Sequence, residues 1–152
     1  MANWCVNRVE ITSVENWDAY KKFETWISNK DRYLSNKGEM PPDIKINDGY
    51  LFAIEFDEDN PEYFIFESKW VPPIKTMVSI GRTYGFSFTL EFEELAMGLY
   101  GEYVWDNSSE KLYVRHLTHK ELIDAIDEDD SPIYEEYDRL LYKKDLELKE
   151  TP

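Results

Sequence analysis

The run Phe86-Ser87-Phe88-Thr89-Leu90-Glu91-Phe92-Glu93 constrains this chain more than any other segment. A period of two sends Phe86, Phe88, Leu90 and Phe92 to one face and Ser87, Thr89, Glu91 and Glu93 to the other. A strand with one wholly apolar face needs a second layer to cover it, since that much hydrocarbon is costly to leave in water. The cover is legible upstream. Trp17, Tyr20, Phe23, Trp26 and Ile27 recur at three- and four-residue spacing, which predicts a helix over roughly 14–29 with Ser13 as its N-cap. The simplest use of that aromatic stripe is packing against a sheet.

The remaining elements follow from the same periodicities. Residues 3–12 alternate, with Cys5, Asn7, Val9 and Ile11 on one face and Arg8 and Glu10 on the other. Tyr50–Phe56 and Tyr63–Glu67 read as strands around the turn Asp57-Glu58-Asp59-Asn60-Pro61. Pro72 and Pro73 suit the first turn of a helix, where a missing N–H costs nothing, and Ile74, Met77, Val78 and Ile80 form its buried side up to Gly81–Gly85. Residues 99–106 and 111–117 predict a hairpin turning at Asn107-Ser108-Ser109. Thr118-His119-Lys120-Glu121 is a capping-box pattern opening a helix to about Asp127. Asp129-Asp130-Ser131-Pro132 ends it, and a last helix is predicted over roughly 132–147, with Ile133, Tyr137, Leu140 and Leu141 as its apolar face. Residues 30–48, with Asn36, Gly38, Pro41 and Pro42, form a connection long enough to be a functional loop or to hold a short element of its own.

The order is β-α-β-β-α-β, then an extra hairpin strand or two, then two helices. The first six elements match the ferredoxin-like plan, an α+β class with an antiparallel sheet and helices on one face. The expected organisation is a core over 1–117 and an acidic helical extension over 118–152 packed on the same domain.

Charge bounds the function classes. The chain of 152 residues carries 32 acids and 17 bases, a net charge of −15. Residues 1–45 are balanced, 46–120 carry −7 and 121–152 carry −8. Such a field repels nucleic acid and anionic membranes and attracts basic surfaces. A solvated acidic face with no charge-based partner explains the same numbers. With one cysteine, Cys5, no disulfide can form within the chain, and a reducing, cytoplasmic setting in a host cell is expected. Neither a signal-peptide pattern nor a stretch of 18 apolar residues is present, so no membrane role is expected.

No catalytic, cofactor or metal constellation emerges. His116 and His119 lack the Cys/His company that zinc requires. Cys5 has no base nearby in sequence to activate it. Asp57, Glu58, Asp59 and Glu62 resemble a calcium loop in composition only, without its central Gly or flanking helices. Gly81-Arg82-Thr83-Tyr84-Gly85-Phe86-Ser87-Phe88 echoes an RNA-binding strand signature, but Thr83 replaces its second Gly and the segment follows the second helix. Glu91, Glu93, Glu94 and Glu102 fall on or near adjacent predicted strands, as an acidic patch or a divalent-cation site. Glu91 and Glu93 would sit about 7 Å apart on one face, against a phosphate about every 3.4 Å along each strand of duplex DNA.

Three blocks carry a family resemblance. The opening Asn3-Trp4-Cys5-Val6-Asn7-Arg8-Val9-Glu10-Ile11, the segment Phe66-Glu67-Ser68-Lys69-Trp70-Val71-Pro72-Pro73 and the segment Glu94-Leu95-Ala96-Met97-Gly98-Leu99-Tyr100-Gly101-Glu102-Tyr103 resemble the YubB-type proteins of phages and plasmids. In the last block Ala96 stands where that family's pattern has Gly. The resemblance covers roughly 1–117 and implies a ferredoxin-like fold and a mobile-element origin, with no established activity.

Two functional expectations result. One is a non-enzymatic inhibitor whose carboxylates occupy the DNA or RNA site of a basic, nucleic-acid-binding host protein, such as a CRISPR effector or restriction enzyme, through Glu91, Glu93, Glu102, Asp127, Asp129, Asp130, Glu135, Glu136 and Asp138. It would not bind nucleic acid itself. The other is a structural or regulatory interaction module of the mobile element, without mimicry.

Overall fold

The alternating N-terminal segment forms strand β1 (Trp4–Val14), two residues longer at its C-terminal end than its alternation predicts. The structure, a computed structural model, describes residues 3–29, 37–45 and 48–149. Helix α1 (Trp17–Ile27), strands β2 (Phe52–Phe56) and β3 (Tyr63–Lys69), helix α2 (Ile74–Tyr84) and strand β4 (Phe86–Glu94) follow. A single 3-10 turn at Leu95–Met97 leads into strands β5 (Leu99–Asp106) and β6 (Lys111–His116), helices α3 (His119–Asp124) and α4 (Tyr134–Tyr142), and strand β7 (Glu147–Lys149). The strands form one antiparallel sheet in the order β2-β3-β1-β4-β5-β6-β7. Its first four, with two helices crossing between them, are the ferredoxin-like unit.

Register divides the sheet into two faces. Cys5, Val9, Phe64, Phe66, Phe86, Phe88, Leu90, Trp105 and Leu112 share the face covered by α1 and α2 and are buried with Tyr20, Phe23, Ile27, Met77 and Ile80. Phe23 is the hub, its ring centroid 5.1 Å from Phe86, 5.6 Å from Tyr84 and 5.8 Å from Phe64. Gly85 joins α2 to β4 in the left-handed region (φ 69°), and its carbonyl accepts from Glu15 N at 2.8 Å. A Cβ on Gly85 would sit 2.5 Å from that of Asn16, so only glycine fits.

The opposite face is covered at β4–β6 by the C-terminal helices. Tyr100, Leu117, Leu122, Ala125, Tyr137 and Leu141 form a second buried cluster there. Tyr137 Oη donates to the Leu122 carbonyl at 3.1 Å, tying α4 to α3.

Several boundaries differ from the periodicity. α1 starts at Trp17 with Asn16 as its cap, because Ser13 and Val14 are still paired with Ser87 and Phe86 on β4. Asn16 Oδ1 accepts from Ala19 N at 3.1 Å. Trp17, at the first position of the helix, is 61% exposed and leaves the predicted stripe. α3 stops at Asp124, before the predicted Asp127, where Ala125 departs from helical angles. The last helix is nine residues long and ends at Tyr142, short of the predicted 147, and Glu147–Lys149 form an unpredicted strand, β7, paired with β6. Within the connection predicted over 30–48, Glu39 bridges Leu51, while residues 30–36 and 46–47 lie outside the described residues. Asp48 accepts from Lys75 N, Thr76 N and Thr76 Oγ1 at 2.8–3.1 Å and so caps α2.

Candidate partner-binding surface

Glu91 and Glu93 project from β4, and Glu102 lies directly opposite Glu91 on β5. Like charges across a strand pair repel, and here each carboxylate is matched from a neighbouring element. Arg8 Nη2 is 2.5 Å from Glu93 Oε1. Arg115 donates to Glu102 Oε1 from Nη2 at 2.8 Å and from Nε at 3.1 Å. Tyr142 Oη donates to Glu91 Oε1 at 2.7 Å. Burial pushes the Glu102 carboxyl above its ordinary range, against the pull of Arg115. The Arg115 guanidinium also lies 4.7 Å from the centroid of the Tyr142 ring.

Asp138, on α4, joins the same arrangement from above by accepting from Tyr100 Oη at 2.6 Å. Burial, then the acceptor carboxylates, raise the pKa values of the Tyr100 and Tyr142 hydroxyls, which keeps both as donors. Glu91, Glu93, Glu102 and Asp138 are therefore gathered into the joint between α4 and the sheet. Glu136 pairs with Arg139 one turn along α4, and that bond lowers its pKa.

The α3–α4 connection is arranged differently. Asp127 Oδ1 accepts from Asp129 N and from Ser131 N, each at 2.9 Å, and Asp127 N donates to the Ser131 carbonyl at 2.9 Å. Ile126 bridges Pro132, and Ile133 N donates to the Ala125 carbonyl at 3.1 Å. Asp130 takes the left-handed conformation (φ 59°) that Asp tolerates better than most residues. Asp127 thus spends its carboxylate on the turn. Asp129, Asp130 and Glu135 are exposed, as is Glu128, and none of the four is ion-paired among the described residues.

Apolar side chains frame these acids. Ile123 is 53% exposed, Tyr134 48%, and Ile126 and Ile133 38% each. Ile133 leaves the apolar face that the helix period assigns it; Tyr137 and Leu141 are buried and Leu140 is half-buried. The sequence carried a signal for this surface. Leu122, Ile123, Ala125 and Ile126 are too nearly consecutive for a helix of six residues to turn them all inward.

Elsewhere the residues serve structure. Cys5 is fully buried, and burial pushes its thiol up to about 12, far from the range of a reactive thiolate. Asp57 accepts from Asp59 N at 2.9 Å within its turn. His119 begins α3 and packs over Gly98, and His116 ends β6. Phe86 and Phe88, in the segment with the RNA-binding echo, lie fully inside the core. Among the described residues no three His, Cys, Asp or Glu side chains converge as metal ligands. Among them, too, no helix is long and apolar enough to cross a membrane.

A family model described as a ferredoxin-like domain in Api92-like protein matches residues 49–136. The match runs from the entry to β2 through α3 and the acidic turn into α4, and so reaches past residue 117, where the resemblance read from sequence ends. No curated protein and no solved structure matches the chain.

Proposed function

The chain belongs to the family defined by the ferredoxin-like domain of Api92-like proteins, and on that premise we propose that it is a non-enzymatic acidic binding protein that occupies the nucleic-acid site of a basic partner. One observation carries the reading. Of the carboxylates singled out in the sequence, those on the strands are matched internally, while Asp129 and Asp130 on the turn that Asp127 holds in shape, and Glu135 in the first turn of α4, stand exposed with no ion pair among the described residues. A preorganised array of charge loses little freedom on binding. Ile123, Ile126, Ile133 and Tyr134 beside it supply the apolar anchors that charge alone lacks. The contact surface in this reading is the α3–α4 hairpin, and Glu91 and Asp138 position it by accepting from Tyr142 and Tyr100 across the joint between α4 and the sheet.

A nucleic-acid-handling host defence protein, a CRISPR effector or a restriction enzyme, is the partner class with the required basic groove. The likeness of the N-terminal block to YubB-type proteins supports a mobile-element origin for such an inhibitor. The test is capture of host proteins on the tagged chain, with low-salt, high-salt and duplex-DNA washes. Release of a nucleic-acid-binding protein by both salt and DNA supports the reading. Partners that resist both washes would instead favour an interaction module working through apolar contacts. That second reading draws on Trp4, Tyr50, Trp70 and Val71, each 43–52% exposed on β1 and on the loops flanking β2 and β3.

A further inference from the structure

Strands β5, β6 and β7 carry the sheet past the edge of the α1–α2 layer. α2 meets β5 where Gly81 packs on the Trp105 ring, at 2.9 Å from the position a Cβ would take. Beyond that point the same face of β5 and β6 borders an open cleft of about 360 Å³ beside the N-terminal end of α2. That volume lies in the range of small-ligand sites, roughly 300–1,000 Å³. Phe92, Leu99, Tyr103 and Val114 give it an apolar lining. Its polar groups are unevenly placed. On the β7 side stands Lys149, whose Nζ rests 5.2 Å from the centroid of the Tyr103 ring and 3.4 Å from its hydroxyl. No carboxylate of the described residues pairs with that ammonium. His116 lines the same cleft, its Nδ1 donating to the Leu117 carbonyl at 3.2 Å. On the α2 side stands Asp48, whose two oxygens are already engaged on the backbone and hydroxyl of Lys75 and Thr76.

We propose that this cleft binds a small amphipathic carboxylic acid, an aryl- or alkyl-carboxylate of about a dozen heavy atoms. Its hydrocarbon lies on Phe92, Leu99, Tyr103 and Val114, and its carboxylate meets Lys149. The polarity of the mouth sets the orientation. Asp48 repels an anion from the α2 side, and the Lys149 ammonium, seated on an aromatic face, offers its remaining protons toward the cleft. A neutral ligand of the same shape would gain the apolar contact and lose the charge-assisted bond. The site is separate from the acidic hairpin and does not depend on it.

The test is an amide NMR titration of the full chain with phenylbutyrate and, in parallel, with its neutral isostere phenylbutyramide. The acid is expected to give saturable shifts at Tyr103, Val114 and His116 and to bind about tenfold tighter than the amide, the difference of one charge-assisted bond. Lys149→Gln should reduce the acid to the affinity of the amide, and Lys149→Arg should retain it, with the spectrum unchanged away from the cleft. Equal binding of acid and amide, no saturable shift at these residues, or full affinity in Lys149→Gln would overturn the proposal. So would shifts at the same residues on simple dilution of the ligand-free protein, since a second copy would then occupy the cleft.

Discussion

Asn7 sits in the middle of β1 with no exposed surface, yet it is polar. Its Nδ2 donates to Ser68 Oγ at 2.9 Å, to the Cys5 carbonyl at 3.2 Å and to the Phe66 carbonyl at 3.4 Å. Ser68 Oγ in turn donates to the Val71 carbonyl at 2.8 Å, so one amide ties β1 to β3 and to the entry of α2. Asn7→Ala is expected to cost about 1–3 kcal/mol, the usual price of stranding buried polar partners, read from urea unfolding. Glu102 makes a second residue-level prediction, in its pH dependence. Its pKa is raised in the fold from an ordinary 4.5, chiefly by burial. A carboxyl of that kind binds its proton more tightly folded than unfolded, so its contribution is fully present below 4.5 and is lost as pH rises through the folded value. Thermal unfolding should therefore show the wild type gaining on Glu102→Gln as pH falls from about 7 toward 5. A gap that stays constant with pH would contradict the burial account. Neither role is visible in the residue types alone. The alternation puts Asn7 on the apolar face, but the Ser68 that satisfies it is 61 residues away in sequence.

At the scale of elements, the joints matter more than the elements themselves. Thr118 Oγ1 accepts from Glu121 N at 3.2 Å, and Glu121 Oε1 accepts from Thr118 N at 2.9 Å. Lys144 Nζ reaches the same Glu121 oxygen at 2.6 Å, so the start of α3 is also an anchor for the end of α4. Thr118→Ala should cost about 1 kcal/mol, seen as faster hydrogen exchange in α3. Gly85→Ala should cost more, because the new Cβ meets Asn16 where α1 begins and the left-handed angle is strained. Urea unfolding would show the loss, and a neutral result would mean the α2–β4 corner can open without penalty. Where caps are encoded locally, as in Thr118-His119-Lys120-Glu121, the sequence predicts the helix start correctly. Where a long-range pairing competes, it does not: Ser13 has the chemistry of a cap, but the ladder to Ser87 keeps it in β1 and passes the role to Asn16. β7 escapes notice for the same reason. Leu146 and Leu148 alternate too briefly to separate a strand from a helix, and only β6 decides between them.

For the molecule as a whole, the fold sorts the carboxylates singled out in the sequence into two populations. One is the set of matched carboxylates beneath α4, and the other is the exposed set on the hairpin. The ferredoxin-like order was legible because β1, α1, α2 and β4 have a period and β2 and β3 are aromatic and β-branched runs around a turn. The division of the acids was not, because it depends on Arg8 and Arg115 arriving from other strands. Self-repulsion among the unmatched acids predicts that stability rises with salt. Going from roughly 0.01 M to 0.15 M shortens the screening length from about 30 Å to about 8 Å. Each kcal/mol relieved should raise the unfolding temperature by about 2–4 °C. A flat or falling salt profile would show that the hairpin charges do not strain the free protein. The central claim is that these charges serve a partner, and its most direct test is the salt dependence of affinity for a captured basic partner. The wild type should be compared with Asp129→Lys, Asp130→Lys and Glu135→Lys combined. The triple variant is expected to bind more weakly and with a shallower salt slope. Unchanged affinity and slope would contradict the central claim and place the contact elsewhere on the molecule.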